Sequence, residues 1–205
     1  MWRGSLVSAV LWSLATAGPA SAQSLFADCP ADRVALEYGS TSADGRTLSA
    51  VHAICGDTEI WADQIQLPAD RDVVIATGNV LVLQPGFSVS ADRAEIDRKT
   101  RNGDFHQASG WARITSSPVG RSSFGTLEPD VTFAVARLEK TGPRTYRLTN
   151  GTFTTCQQPT ARWDLHGTSG TITLDERVLL RNAVLRVKGV PLLYLPLLYY
   201  PIGSD

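Results

Sequence analysis

The side chains best suited to proton transfer or metal ligation near neutral pH are His52, His106 and His166. They stand far apart, and none has a ligand spacing such as HxxxH, so they read as surface or turn residues and imply no metal or cofactor. Asp92, Glu95 and Asp97 bring three carboxylates together, as general acid/base work would need. Arg93, Arg98 and Lys99 are interleaved with them, which is the pattern of a solvated, charge-balanced face. The sequence has no GxSxG elbow, no phosphate-cradling glycine loop and no dinucleotide fingerprint, so nothing supports an enzyme. Trp61, Trp111 and Trp163 could in principle form a sugar-binding platform, but they are expected as core aromatics. Cys29, Cys55 and Cys156 form no CxxC pair, which removes the basis for zinc-ribbon and thioredoxin-like readings. Being three, they leave at least one thiol free or paired outside the chain.

With catalysis unsupported, the elements themselves become the subject. The chain has 205 residues, 43% apolar and 19% charged, with a net charge of −1, as in a globular domain. Near-neutral charge offers no basic face for nucleic acid or an anionic bilayer. At the N-terminus Arg3, a mostly apolar Leu6 to Ala17 and the small residues Ala20-Ser21-Ala22 predict a secretory signal over 1–22, too short an apolar run to span a bilayer. Export would place the cysteines in an oxidising compartment.

Residues 23–57 read as an N-terminal extension with one strand. From Thr58 the apolar residues fall at every second position, cut by Gly, Asn, Asp and Pro, which predicts antiparallel β-structure over 58–189. The apolar parity then switches within single strands. Ile60 and Ala62 give way to Ile65 and Leu67, and Phe87, Val89 and Ala91 to Ala94 and Ile96. Val131, Phe133 and Val135 pass to Leu138, and Trp163 and Leu165 to Ile172 and Leu174. A one-residue shift carries a whole set of side chains to the other face, so each switch predicts a bulge or corner within the strand.

The corners recur with similar residues. Trp61-Ala62-Asp63 goes with Gly78-Asn79-Val80, and Ser90-Ala91-Asp92 with Gly110-Trp111-Ala112. Weaker copies are Val135-Ala136-Arg137 with Asn150-Gly151-Thr152, and Leu165-His166-Gly167 with Asn182-Ala183-Val184, after an insertion around Ser116 to Pro129. Asn150-Gly151-Thr152 is formally a glycosylation sequon but falls at a corner. Stacked bent hairpins would bury one continuous core and leave an edge strand at each end. Arg101-Asn102-Gly103-Asp104 and Gly142-Pro143 predict turns. The tail, 190–205, is nearly all apolar, but Pro191, Pro196 and Pro201 exclude a spanning helix and place it where strand pairing is weak.

From Ala134 to Asp205 the chain resembles the LptD family of lipopolysaccharide (LPS)-assembly proteins of Gram-negative bacteria. The earlier repeats resemble the wider family of OstA-like periplasmic domains. The residues that carry the likeness are Tyr146 to Cys156 (YRLTNGTFTTC), Trp163, Asn182-Ala183 and Val187 to Pro196 (VKGVPLLYLP), in that order. The resemblance implies an all-β periplasmic jelly-roll leading into an outer-membrane barrel, for which a chain ending at Asp205 has no room, so a fragment is expected. It implies LPS transport, with lipid A in an apolar trough whose candidates are Val80, Val82, Phe87, Val89, Ile96, Phe133, Val135, Leu148, Phe153 and Leu185. It implies partners as well: a periplasmic bridge protein of similar fold, paired strand to strand at an N-terminal edge near Cys55 to Leu67, and an outer-membrane lipoprotein plug where a barrel is present. Pro191, Pro196 and Pro201 correspond to a transition where weak pairing would permit lateral opening. Cys29 and Cys156 match cysteines that tie this domain to the barrel, while Cys55 departs from the pattern and leaves Cys29–Cys55 or Cys55–Cys156 open. The competing readings are a freestanding periplasmic carrier of the same fold and a secreted sugar-binding β-domain.

Overall fold

The computed structural model describes residue 30 and residues 32–70, 72–113, 130–156, 161–174 and 176–201. The expected signal, Cys29 and the insertion before β8 lie outside them. The described chain forms β1 (Val34–Glu37), β2 (Ser40–Thr41), β3 (Thr47–Cys55), β4 (Thr58–Gln66), β5 (Val73–Gln84), β6 (Phe87–Asp97), β7 (Gly103–Arg113), β8 (Asp130–Lys140), β9 (Thr145–Thr154), β10 (Trp163–Thr173), β11 (Arg177–Val187) and β12 (Val190–Pro201). All pair antiparallel in one sheet of order β1-β3-β4-β5-β6-β7-β8-β9-β10-β11-β12, with β2 also beside β3. The sheet does not close on itself. It is an all-β, jelly-roll-like domain of bent strands, as the alternation predicts.

Two boundaries differ from the sequence reading. The extension expected to hold one strand supplies β1, β2 and β3, and β3 pairs with β4 along its whole length. The Cys55 to Leu67 region is therefore not an edge, because β4 lies between β3 and β5. The short apolar stretches of 34–55 were obscured by intervening turn residues. The exposed edge at this end is β1 with β2. At the other end β12 is a full strand on β11.

The parity switches appear as a line of corners. Ala50, Asn79, Gln107, Asn150 and Asn182, one in each odd-numbered strand from β3 to β11, have φ of 46 to 51°. Asn accepts that left-handed backbone most readily among residues with a Cβ. Opposite these residues the register skips: β4 passes from Trp61 to Gln64 against β5, and β5 from Thr77 to Val80 against β6. Interior residues step by three across the bend, from Ala62 to Ile65, Ala91 to Ala94 and Val135 to Leu138. The Asn79 amide donates to Asp63 at 2.8 Å and the Asn182 amide to Thr168 at 3.0 Å, so polar pairs fasten the outside of the corner. One expected corner moves: the second lies at Gln107, not at Gly110-Trp111. Gly110 instead permits close strand approach, since a Cβ there would lie 1.9 Å from the Ser88 carbonyl oxygen.

The turn after β6 also shifts. It runs from Asp97 to Asn102, with Arg101 at φ 57°, and Gly103 already begins β7. Asp97 accepts from the backbone N–H groups of Lys99 and Thr100, which selects this turn over the Asn-Gly one.

Candidate functional site

Each bent strand contributes one arm to either wall of a roll, and the inner face of both walls is apolar. Its buried core includes Leu48, Val51, Ile65, Val80, Val89, Phe133, Leu148 and Leu180. The two halves of this interior pack differently. Around β9 to β11, Leu148 and Leu180 fill the space left by Gly151 and Gly170; a Cβ on Gly170 would lie 2.5 Å from Leu180 Cδ2 and 2.9 Å from the Leu179 carbonyl oxygen. Between β4 and β9 the walls instead enclose a cavity of about 310 Å³.

Of the trough candidates, Val80, Val82, Phe87, Val89 and Ile96 line that cavity. Phe133 stacks on Phe87 with ring centroids 6.3 Å apart, while Val135 and Leu148 belong to the buried core and Phe153 packs against it. Leu185, on β11, is only half-buried. The sequence reading missed Ile60, Ile65, Val74, Phe105 and Tyr146 as cavity-lining residues. The first four follow the same alternation and could have been found by extending it through both arms. Burial pushes the Tyr146 phenol above its ordinary range.

The outer face is polar, as expected near Asp92 to Lys99. Arg93 pairs with Glu95. Arg137 Nε donates to both oxygens of Asp104, at 2.8 and 3.0 Å, and holds that carboxyl below the usual carboxylate range. Arg186 Nε donates to Asp164 at 2.7 Å. The tryptophans are a correction, because none belongs to the core. Trp61 is 40% exposed and stacks on His52 at 3.6 Å, and Trp111 lies 5.9 Å from the Arg113 guanidinium. Trp61 lies between the inward residues Ile60 and Ala62, so the alternation itself turns it outward, where its indole stacks on His52 of the neighbouring strand. His52 accordingly is not a free surface residue; its ring nitrogens lie 3.9 Å from Glu37 and 3.6 Å from Glu59.

In β12, Pro191 pairs near the start, Pro201 at the end, and Pro196 lies opposite Asn182, between the pairs Arg181–Leu197 and Ala183–Leu195. The ladder is already interrupted at that corner, so the missing N–H removes no pairing there. Leu192, Leu193, Tyr194, Leu197, Tyr199 and Tyr200 are exposed along this strand, and Leu174, expected inside, is exposed too. Cys55 is disulfide-bonded, whereas Cys156 carries a free thiol. The Trp163 N–H beside Cys156 lowers its pKa.

No family model matches the chain. Curated relatives do. The chain is 30% identical over 154 residues to the LPS-assembly protein LptD of Photobacterium profundum, covering 73% of the chain and 18% of that protein. It is 31% identical over 165 residues to that of Alcanivorax borkumensis, covering 72% and 21%. The chain forms an LptD-like domain. A third relative, the LptD of Xanthomonas campestris, is 28% identical over 177 residues and covers 85% of the chain. The chain spans about a fifth of the length of these LptD proteins. The all-β, jelly-roll-like architecture agrees with the fold that the resemblance carried by Tyr146 to Pro196 implies.

Proposed function

We propose that this LptD-like domain takes part in LPS transport and assembly at the outer membrane, from the periplasmic side, by holding the acyl chains of lipid A between its walls. The observation that carries the reading is the apolar cavity between β4 and β9, set beside the likeness to LPS-assembly proteins. Each acyl CH₂ withdrawn from water contributes about 0.8 kcal/mol, so even partial entry of several chains gives firm retention. An open, unclosed sheet lets a bulky sugar head remain outside. Photo-crosslinking residues at Val89, Ile96 and Phe105 should capture lipid A, and the same residue at the exposed Ser90 should not. Capture at Ser90 alone would place lipid on the outer face and end the trough reading.

In the same reading β1 and β2 are the edge that pairs with a periplasmic bridge protein of similar fold. Main-chain hydrogen bonds across an open edge supply affinity with little demand on side chains. Proline at Ala35 or Leu36, whichever turns its N–H outward, should abolish capture of the bridge protein in a pull-down; undiminished capture by both variants would refute the pairing. Exposed, proline-marked β12 is the transition towards a barrel, where a lipoprotein plug would act and lateral opening would begin. Cys156 supplies a thiol for a bond outside this domain.

A further inference from the structure

Among the described residues, every large apolar side chain left exposed, apart from Trp61 and Leu174, belongs to β12. Leu195 and Leu198 of this strand turn inward, where they pack on the core opposite Ala183 and Leu180. Alternation on either side of the bend at Pro196 therefore turns Leu192, Tyr194, Leu197 and Tyr199 outward. These four are 56 to 64% exposed, on the face that elsewhere carries ion pairs and hydroxyls. The Tyr194 hydroxyl donates to Asn182 Oδ1 at 2.9 Å, on the outside of the corner. On β11 the residues opposite are Val184, Arg181 and Leu179, and on β10 beyond them His166, Ser169 and Thr171. The apolar stripe is thus two strands wide at most.

Charge beside the stripe has one sign. Residues 177–201 contain four basic residues, Arg177, Arg181, Arg186 and Lys188, and no acidic one. The acids that face them from neighbouring segments are Asp164, which accepts from Arg186 Nε at 2.7 Å, and Glu176, 3.4 Å from Arg177. Asp175 and Asp205 lie outside the described residues. Arg181 and Lys188 are both exposed and have no acidic partner among the described residues. Arg181 borders the stripe beside Leu197, and Lys188 stands in the turn that leads into it. The near-zero net charge of the whole chain conceals this local excess.

We propose that the outer face of β12, with Arg181 and Lys188, rests on the headgroup layer of a bilayer that contains anionic phospholipid. Tyrosine suits that layer because its ring is apolar and its hydroxyl is wet; leucine adds apolar area, and the two cations meet lipid phosphate. A protein partner fits the surface less well. A standard interface buries about 800 Å² on each side, whereas this apolar surface gives way to His166, Ser169 and Thr171 beyond β11. The inference concerns the outer face and goes beyond the trough reading, which concerns the inner one.

The test floats the purified chain with vesicles of phosphatidylcholine, alone or with phosphatidylglycerol as about a third of the lipid. One double variant, Leu197→Thr with Tyr199→Thr, removes outward apolar area and keeps β-branched residues in the strand. The other is Arg181→Gln with Lys188→Asn, since asparagine accepts the left-handed backbone at residue 188. All four positions face outward or lie in a turn, so both variants should keep the parent's far-UV circular dichroism. The parent should bind the anionic vesicles roughly 5- to 30-fold more tightly than the neutral ones, and high salt should shrink that preference. The charge variant should lose the preference, and the threonine variant should bind both vesicles roughly 5- to 20-fold more weakly. A parent without preference, or a charge variant that keeps it, overturns the proposal. So does a threonine variant that binds like the parent, because the contact is then made elsewhere in the chain. Sedimentation without vesicles supplies the remaining outcome: a dimer that the threonine variant dissociates would assign the stripe to a second copy and overturn the membrane reading. Lipid A capture at Val89 is a separate readout, and its loss with vesicle binding intact would end the trough reading and leave this one standing.

Discussion

Replacing Leu148 and Ile96 separately by alanine distinguishes the filled part of the roll from the hollow part. Leu148 is 1% exposed, and its Cδ1 lies 3.1 and 3.3 Å from the points where Gly151 and Gly170 would carry a Cβ. Main chain forms much of its surroundings, and main chain held in a ladder cannot collapse into a void. Leu148→Ala should therefore fall in the upper half of the range for such truncations, about 3–5 kcal/mol. That corresponds to a fall in Tm of roughly 6–20 °C at about 2–4 °C per kcal/mol for a domain of this size. Ile96 is half-buried and faces space that is already empty, so Ile96→Ala removes about three carbons at about half of 0.8 kcal/mol each, near 1 kcal/mol. Urea unfolding followed by far-UV circular dichroism gives both values, and displacement of a fluorescent lipid A gives the second readout. There the order should reverse: Ile96→Ala weakens lipid binding roughly 3- to 10-fold, while Leu148→Ala, measured well below its Tm, leaves it within about twofold of the parent. A Leu148→Ala cost below about 1.5 kcal/mol, or loss of lipid by Leu148→Ala and not by Ile96→Ala, would refute the division of the interior.

At the corners, Gln107→Gly should raise stability by about 0.5–1 kcal/mol because glycine takes the left-handed backbone without a Cβ clash, whereas Asn182→Val should lower it by about 1–2 kcal/mol; the urea midpoints of the two should move in opposite directions. Asp104 has its pKa lowered by Arg137, so its ion pair contributes at pH values above the unfolded carboxylate range and is lost as pH falls through the lower folded value. Arg137→Gln should accordingly lower the stability of the neutral-pH protein only slightly and flatten its decline in acid; an unchanged acid profile would count against the pair. Thiol-selective alkylation of the folded chain should modify Cys156, with a rate that rises to its plateau at lower pH than for an unperturbed thiol, because the Trp163 N–H favours the thiolate. Alkylation with the pH dependence of an ordinary thiol would show that this contact is not made in solution.

Most of the fold could be read from the sequence because the interior imposes a period of two and each corner must break it. Ala62 to Ile65, Ala91 to Ala94 and Val135 to Leu138 are breaks of that kind, visible without coordinates. The Gln107 corner was hidden because glutamine carries no turn signal; neighbouring strands fix the bend and Gln107 conforms to it. The turn at Arg101 was misplaced for a similar reason, since Asp97 captures backbone N–H groups that an Asn-Gly turn would have left elsewhere. Alternation identified part of the cavity wall, but it cannot say where an inward side chain meets a neighbour and where it meets empty space. That depends on Gly151 and Gly170, whose missing side chains let Leu148 and Leu180 close one half while the other half stays open.

The order of strands has a consequence for how the chain acquires its structure. From β3 to β12 every strand pairs with the strand before it, and β1 and β2 fold back on β3, so no pairing waits for a distant segment. Loop closure is short at every step, and each hairpin arriving after the first finds a finished edge to add to. Such a chain can assemble progressively from its amino end as it emerges, each added hairpin extending the structured part by one increment. At every stage the growing end is an open strand, so the unfinished domain is most exposed to mispairing at the last strand formed. Among the described strands the last is β12, in which Pro191, Pro196 and Pro201 carry no main-chain donor.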